Sequence, residues 1–198
     1  VSSPAPSFSP LPEIRAFFRD QGKFVLTFAG YSGAGYEEPE RLARLVGELL
    51  EERAPSETLI NIGVTADGIG AVYEWAKWRG FTTSGIVSAV ALRYGATVSP
   101  WCDHPFFVED ESWGGLIEGT LSPTSEAMVE VSDLMVAFGG GDIARDEMAE
   151  MRRRGKPIRF VPADMNHAIA RAKAAGKGQP EPDAAFLRGS AHGVFATD

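Results

Sequence analysis

Three clusters of glycine and one pair of acids are the residues best suited to chemistry in this 198-residue sequence. Gly30, Gly33 and Gly35 form the first cluster, Gly63, Gly68 and Gly70 the second, and Gly139, Gly140 and Gly141 the third. Each follows a short apolar run and precedes a helical pattern, so each is expected at a strand-to-helix turn. Backbone N–H groups and the positive end of the helix dipole face an anion there, and glycine permits close approach. Such turns also draw on glycine with no ligand present. Tyr31 and Ser32 in the first turn are placed to touch a base and a phosphate. Asp67, in the second, can accept from a ribose hydroxyl or cap the helix that follows. In the third, Asp142 suits an N-cap. Asp146 and Glu147 either complement the helix dipole or, in the case of Glu147, offer a carboxylate that could steady oxocarbenium character or direct water at a glycosidic bond.

The elements that must position these residues are legible from periodicity. Lys23–Gly30 is a nearly continuous apolar run of strand length. In 38–53, Leu42, Leu45, Val46, Leu49 and Leu50 recur at helical spacing. Thr58–Gly63 and Phe81–Ala89 read as strands on either side of a helix, AVYEWAKWRG, that stops at Gly80. Tyr73, Trp75 and Trp78 cannot share one face of it, so some are expected against another subunit or a loop. Residues 92–121 are irregular, aromatic and acidic, and are expected to form a lid or an interface loop. A helix near Pro123, a strand at 133–138, a helix through Arg154, a strand at 156–162 and a helix at 166–175 complete the pattern. This alternation predicts a single doubly wound Rossmann-like α/β domain, with a mostly parallel sheet and helices on both faces. The expected organisation is a Ser/Pro-rich arm at 1–12, the domain at 13–176 and a polar tail at 177–198, either loose or draped over the body. The glycine turns then share the edge at the strand carboxyl ends, where ligands of such sheets bind.

Composition narrows the partners. Nineteen Lys and Arg against 27 Asp and Glu leave a formal charge of −8, so the far field repels nucleic acid and anionic membrane surfaces. Neither a secretory signal nor an apolar run of membrane-spanning length is visible. Cys102, the lone cysteine, has no disulfide partner and too few companions for structural zinc, which fits a cytoplasmic setting. Cys102, Asp103 and His104 invite a nucleophile-and-base reading, but adjacent residues of an extended chain point apart. Asp103, His104, Glu109 and Asp110 match no metal-ligand spacing, so neither a metal nor another cofactor is expected. The glycine order of the first turn, G-x-x-G-x-G, is not the dinucleotide fingerprint, and no P-loop or G-x-S-x-G sequence occurs.

Two segments, NIGVTADGIGAVYEWAKWRGFTTSGIVSA and SDLMVAFGGGDIARDEM, carry a resemblance that runs from about Lys23 to Asp164. In order and content the chain resembles the SLOG superfamily, and within it the LOG-like proteins. These are often labelled lysine decarboxylase-like and include cytokinin-activating phosphoribohydrolases. Gly140, Gly141 and Glu147 match the paired glycines and terminal glutamate of the family signature PGGxGTxxE, and Asp133 matches an aspartate before the preceding strand. Gly139 replaces the proline and Ile143-Ala144 the Gly-Thr. The family's arginine on the preceding helix falls near Thr124, where SPTSEAM has no cation. Arg145 could stand in as a phosphate ligand. The resemblance implies a homodimer that binds a nucleotide or phosphoribosyl small molecule and hydrolyses its N-glycosidic bond through Glu147. The departures suit a sensor or binding module of the same fold without turnover. A third reading is an interaction protein with its contact surface at 101–113.

Overall fold

The computed structural model describes residues 8–196. Its elements run α1 (Leu11–Gln21), β1 (Phe24–Gly30), α2 (Pro39–Glu51), β2 (Thr58–Ile62), a 3-10 turn at Gly68–Gly70, α3 (Ala71–Trp78), β3 (Thr82–Ser88), α4 (Val90–Arg93), β4 (His104–Val108), β5 (Leu116–Ile117), β6 (Thr120–Leu121), α5 (Pro123–Val131), β7 (Leu134–Phe138), α6 (Asp142–Arg153), β8 (Ile158–Val161), α7 (His167–Gly176), α8 (Ala184–Arg188) and α9 (His192–Phe195). Six strands form one sheet in the order β4-β3-β2-β1-β7-β8, with every neighbouring pair parallel. The chain winds outward from β1 to β4, then crosses back through α5 to β7. The direction of winding therefore reverses between β1 and β7, the position at which doubly wound sheets open a crevice for ligands.

Alternation along β1 shows how the two layers are built. Leu26 and Phe28 face α2 and α3, where Leu42, Val46, Leu50, Val72 and Tyr73 are buried. Val25 and Ala29 face α1, α5 and α6, against Ile14, Met128, Met148 and Met151. Burial of each large side chain contributes about 1.5–3 kcal/mol. Of the crowded aromatics on α3, Tyr73 is buried and Trp78 is exposed.

A polar seam crosses the second face. Thr27, Asn61 and Ser84 are register partners on β1, β2 and β3. The Asn61 amide donates to Thr27 Oγ1 and its carbonyl oxygen meets Ser84 Oγ, each at 3.3 Å. Ser132 Oγ donates to Met128 O, so the 2.6 Å contact between Thr27 and Ser132 has Thr27 as donor. Buried polar groups are tolerable when satisfied in this way.

Two segments differ from expectation. Residues 92–121 are not wholly irregular, because His104–Val108 pairs with β3 as an edge strand. Pro105 hides its strand character, yet an edge position tolerates proline. The arm expected at 1–12 lies largely outside the described residues, and α1 starts at Leu11. In the segment beyond Gly176, α8 and α9 bury Leu187, Ala191 and Phe195 on the body, so its described part is draped.

Candidate functional site

The carboxyl ends of β1, β2 and β3, with the first turns of α5 and α6, surround a cavity of about 710 Å³. Gly30, Tyr31, Ser32 and Gly33 line it from the first turn and Asp67 from the second. Gly141, Asp142 and Glu147 line it from α6. Gly68, Gly139, Gly140 and Arg145 were equally expected at the ligand but do not line it.

Packing explains those absences. A side chain at Gly68 would run into the backbone oxygens of Tyr31 and Ser32, so this glycine lets the first two turns touch. Ile69 N donates to Tyr31 O at 2.7 Å across the same contact. Gly139 has φ +56 and presses against Ala163 O, with the Tyr31 ring 2.7 Å from where a Cβ would stand. Proline, which the resemblance would place here, cannot adopt that φ. Arg145 is engaged by Asp142 at 2.8 Å and by Asp146 at 2.8 and 2.9 Å. Its charge is thereby spent on its own helix.

Tyr31, expected against a base, has its hydroxyl turned to the tail, donating to Arg188 O at 2.6 Å. Its ring is buried beside Tyr36. Asp67 occupies the cap position of the 3-10 turn without making a side-chain cap bond. Asp142 is the first residue of α6 rather than its cap, which is Gly141, and no side chain caps that helix.

Glu147 is 6% exposed. Burial raises its pKa to about 7, against the bond donated by Ser125 Oγ and with help from the neighbouring Asp146 charge. Ser125 Oγ donates to Glu147 Oε1 at 2.7 Å and accepts from Gly115 N–H at 2.7 Å. The group can therefore give or take a proton near neutrality, as an acid–base residue must.

Periodicity leaves several participants unmarked. Asp110 is buried, and its carboxylate accepts from Ser112 N and Oγ at 2.8 Å and from Thr124 N at 3.0 Å. Burial alone would raise its pKa, but the Thr124 hydroxyl, together with these donors, holds it below the usual value. With Gly115 tied to Ser125 and Leu116 N bonded to Asp146 at 3.0 Å, the segment after β4 is anchored over α5 and α6. It carries Trp113, 52% exposed, to the cavity rim against Tyr94. Thr124 also lines the cavity, with its buried Oγ1 beside the Asp110 carboxylate. Among the described residues that line the cavity, none is a lysine, arginine or histidine. Lys173 reaches the rim, donating to Gly33 O at 2.6 Å.

The other candidates disperse. Asp103 pairs with Lys77 at 2.8 Å and accepts from Thr83 N at 3.0 Å, away from Asp110's partners. Burial pushes the Cys102 thiol up to about 11, so it is no ready nucleophile. No group of three or more potential metal-ligating side chains gathers among the described residues. None of the described helices is long and apolar enough to cross a membrane.

Fold and cavity together define an α/β protein of the Rossmann-like class with a small-molecule-sized crevice at its switch point. The solved structures it is similar to share that fold. The Moco carrier protein from Chlamydomonas reinhardtii superposes with a TM-score of 0.53 at 19% identity, covering 79% of this chain and 85% of that one. The molybdenum cofactor binding protein of the phototrophic bacterium Rippkaea orientalis gives 0.51 at 18%, covering 70% and 76%. The structural-genomics target TM1055 gives 0.51 at 20%, covering 68% and 72%. These likenesses show the Rossmann-like fold alone. No family model matches the sequence, and no curated protein matches it either.

Proposed function

We propose that this chain binds a nucleotide-like small molecule in the cavity and holds it without cleaving it, as a carrier or sensor. The observation that carries the reading is the 710 Å³ cavity at the switch point, open to the uncapped first turn of α6. A crevice of this size suits a ligand of nucleotide dimensions, and helix N–H groups suit one anionic group on it. Two of the similar structures are described as a carrier and a binding protein for the molybdenum cofactor, which agrees with retention rather than turnover. The first turn of α5 holds no arginine, and Arg145 is consumed by Asp142 and Asp146.

Glu147 favours a second reading, hydrolysis of an N-glycoside. It is the cavity carboxyl with a pKa near neutrality. The deciding experiment is thermal melting against AMP, other nucleoside monophosphates, ADP-ribose, NAD and ribose 5-phosphate, with released base measured in the same wells. A ligand at 100 times its dissociation constant adds about 2.7 kcal/mol if it binds only the folded chain. Stabilisation without base release is expected. Base release that disappears in Glu147→Gln while binding persists would replace the carrier reading with the hydrolase.

A further inference from the structure

Two helix ends face the crevice, and the chain has already filled one of them. At α5, Thr124 N is taken by the Asp110 carboxylate, Ser125 N by Ser122 Oγ at 3.3 Å and Glu126 N by Ser122 O at 2.8 Å. Pro123 has no N–H to offer. Asp110 is 3% exposed, so its charge sits as an internal anion where a second phosphate would otherwise be received. At α6 the first turn has no side-chain cap and lines the cavity. Asp67, Asp142 and Glu147 are also on the wall, while no basic side chain is among the described residues that line it. A polyphosphate here would meet carboxylates on the wall with Lys173 at the rim to offset them, a costly arrangement in a partly desolvated site.

The rim over α5 and α6 offers something different. Trp113 keeps half its surface exposed although the main chain on either side is fixed: Ser112 N to Asp110, and Gly115 N to Ser125. A held but uncovered indole at a cavity mouth is a ready platform for a flat ring. Within the cavity, Glu147 offers a carboxyl.

We propose that the cavity selects a planar heterocycle carrying no more than one phosphate-sized anionic group, its ring against Trp113 and any anionic group at the first turn of α6. The inference rests on the small-molecule-binding reading above. It makes Trp113 a specificity residue and Asp110 the feature that limits ligand charge.

Calorimetric titration of the full chain with adenosine, AMP, ATP and ribose 5-phosphate, without divalent cations, tests it. Adenosine and AMP are expected to bind within about tenfold of each other, with ATP and ribose 5-phosphate at least about tenfold weaker than AMP. Trp113→Leu, which leaves the backbone anchors intact, is expected to weaken adenosine and AMP alike by about tenfold, the scale of one base–aromatic stack. ATP or ribose 5-phosphate binding as tightly as AMP, or unchanged affinities in Trp113→Leu, overturns the inference and leaves the binding reading standing. Silence from all four probes removes both.

Discussion

The amino ends of α5 and α6 start from the same edge of one sheet and flank one cavity, yet they are finished differently. At α5 the amide of Thr124 is closed by a carboxylate brought from 14 residues earlier. At α6 no side chain caps the first turn, and the glycines before it are pressed against Tyr31 and the tail. One end is thus neutralised by side-chain chemistry, while the other is held by backbone packing and left available. The lesson is that equivalent dipoles within a fold need not be equivalent sites. What occupies each end decides its use.

The packing side of that contrast should break most severely. Gly139→Ala combines a left-handed φ with contacts against Ala163 O and Tyr31, and is expected to cost roughly 3–4 kcal/mol in urea unfolding. A cost below about 1 kcal/mol would mean that the turn relaxes freely and is not held by its backbone packing.

Glu147 links the two helices through Ser125, and its effect should appear as a slope with pH. Its folded pKa is about 7, against roughly 4.3 in an unfolded chain. Between these values the folded protein keeps a proton that the unfolded one has lost, so stability falls as pH rises through the window and is level above it. The full drop is roughly 3.5–4 kcal/mol. Glu147→Gln is expected to remove that slope, matching the parent near pH 5 and exceeding it at pH 8 by about 2–3 kcal/mol. Parallel stability curves for the two proteins would place Glu147 outside any desolvated pocket.

The side-chain end should yield less. Asp110→Ala strands the Thr124 and Ser112 donors and is expected to cost about 2 kcal/mol, and Asp110→Asn, which keeps an acceptor, about half of that. Because the folded pKa of Asp110 is lowered, its contribution is present above the unfolded value near 3.9 and fades as pH falls through the folded one. Equal losses in the two variants at pH 7 would point to burial rather than hydrogen bonding as the source.

Local pattern reveals a good part of this arrangement. The α2 stripe and the apolar runs of β1, β2 and β7 mark the layers, and a glycine turn after each of those strands marks the functional edge. Glu147 and Asp142 reach the cavity because helical spacing puts a helix there. The remainder depends on pairings distant in sequence. Nothing local in EDES tells Asp110 from the acids beside it, since its distinction is a bond to Thr124. Tyr31 reads as a ligand-facing turn residue, yet its hydroxyl is claimed by Arg188, 157 positions away. Arg145 reads as a free cation, and only its geometry with Asp142 and Asp146 cancels it.

That bond between Tyr31 and Arg188 has a kinetic meaning. Gly189 rests on the Gly140 carbonyl and the Tyr31 hydroxyl, and Ala191 N donates to Gly140 O at 3.1 Å. The backing of the turn before α6 is therefore assembled from three widely separated parts of the chain. Contacts of such span carry a large loop-closure entropy and form late, after local helices and neighbouring strands. Ligand competence should consequently be among the last properties the protein acquires as it folds, lagging behind its secondary structure.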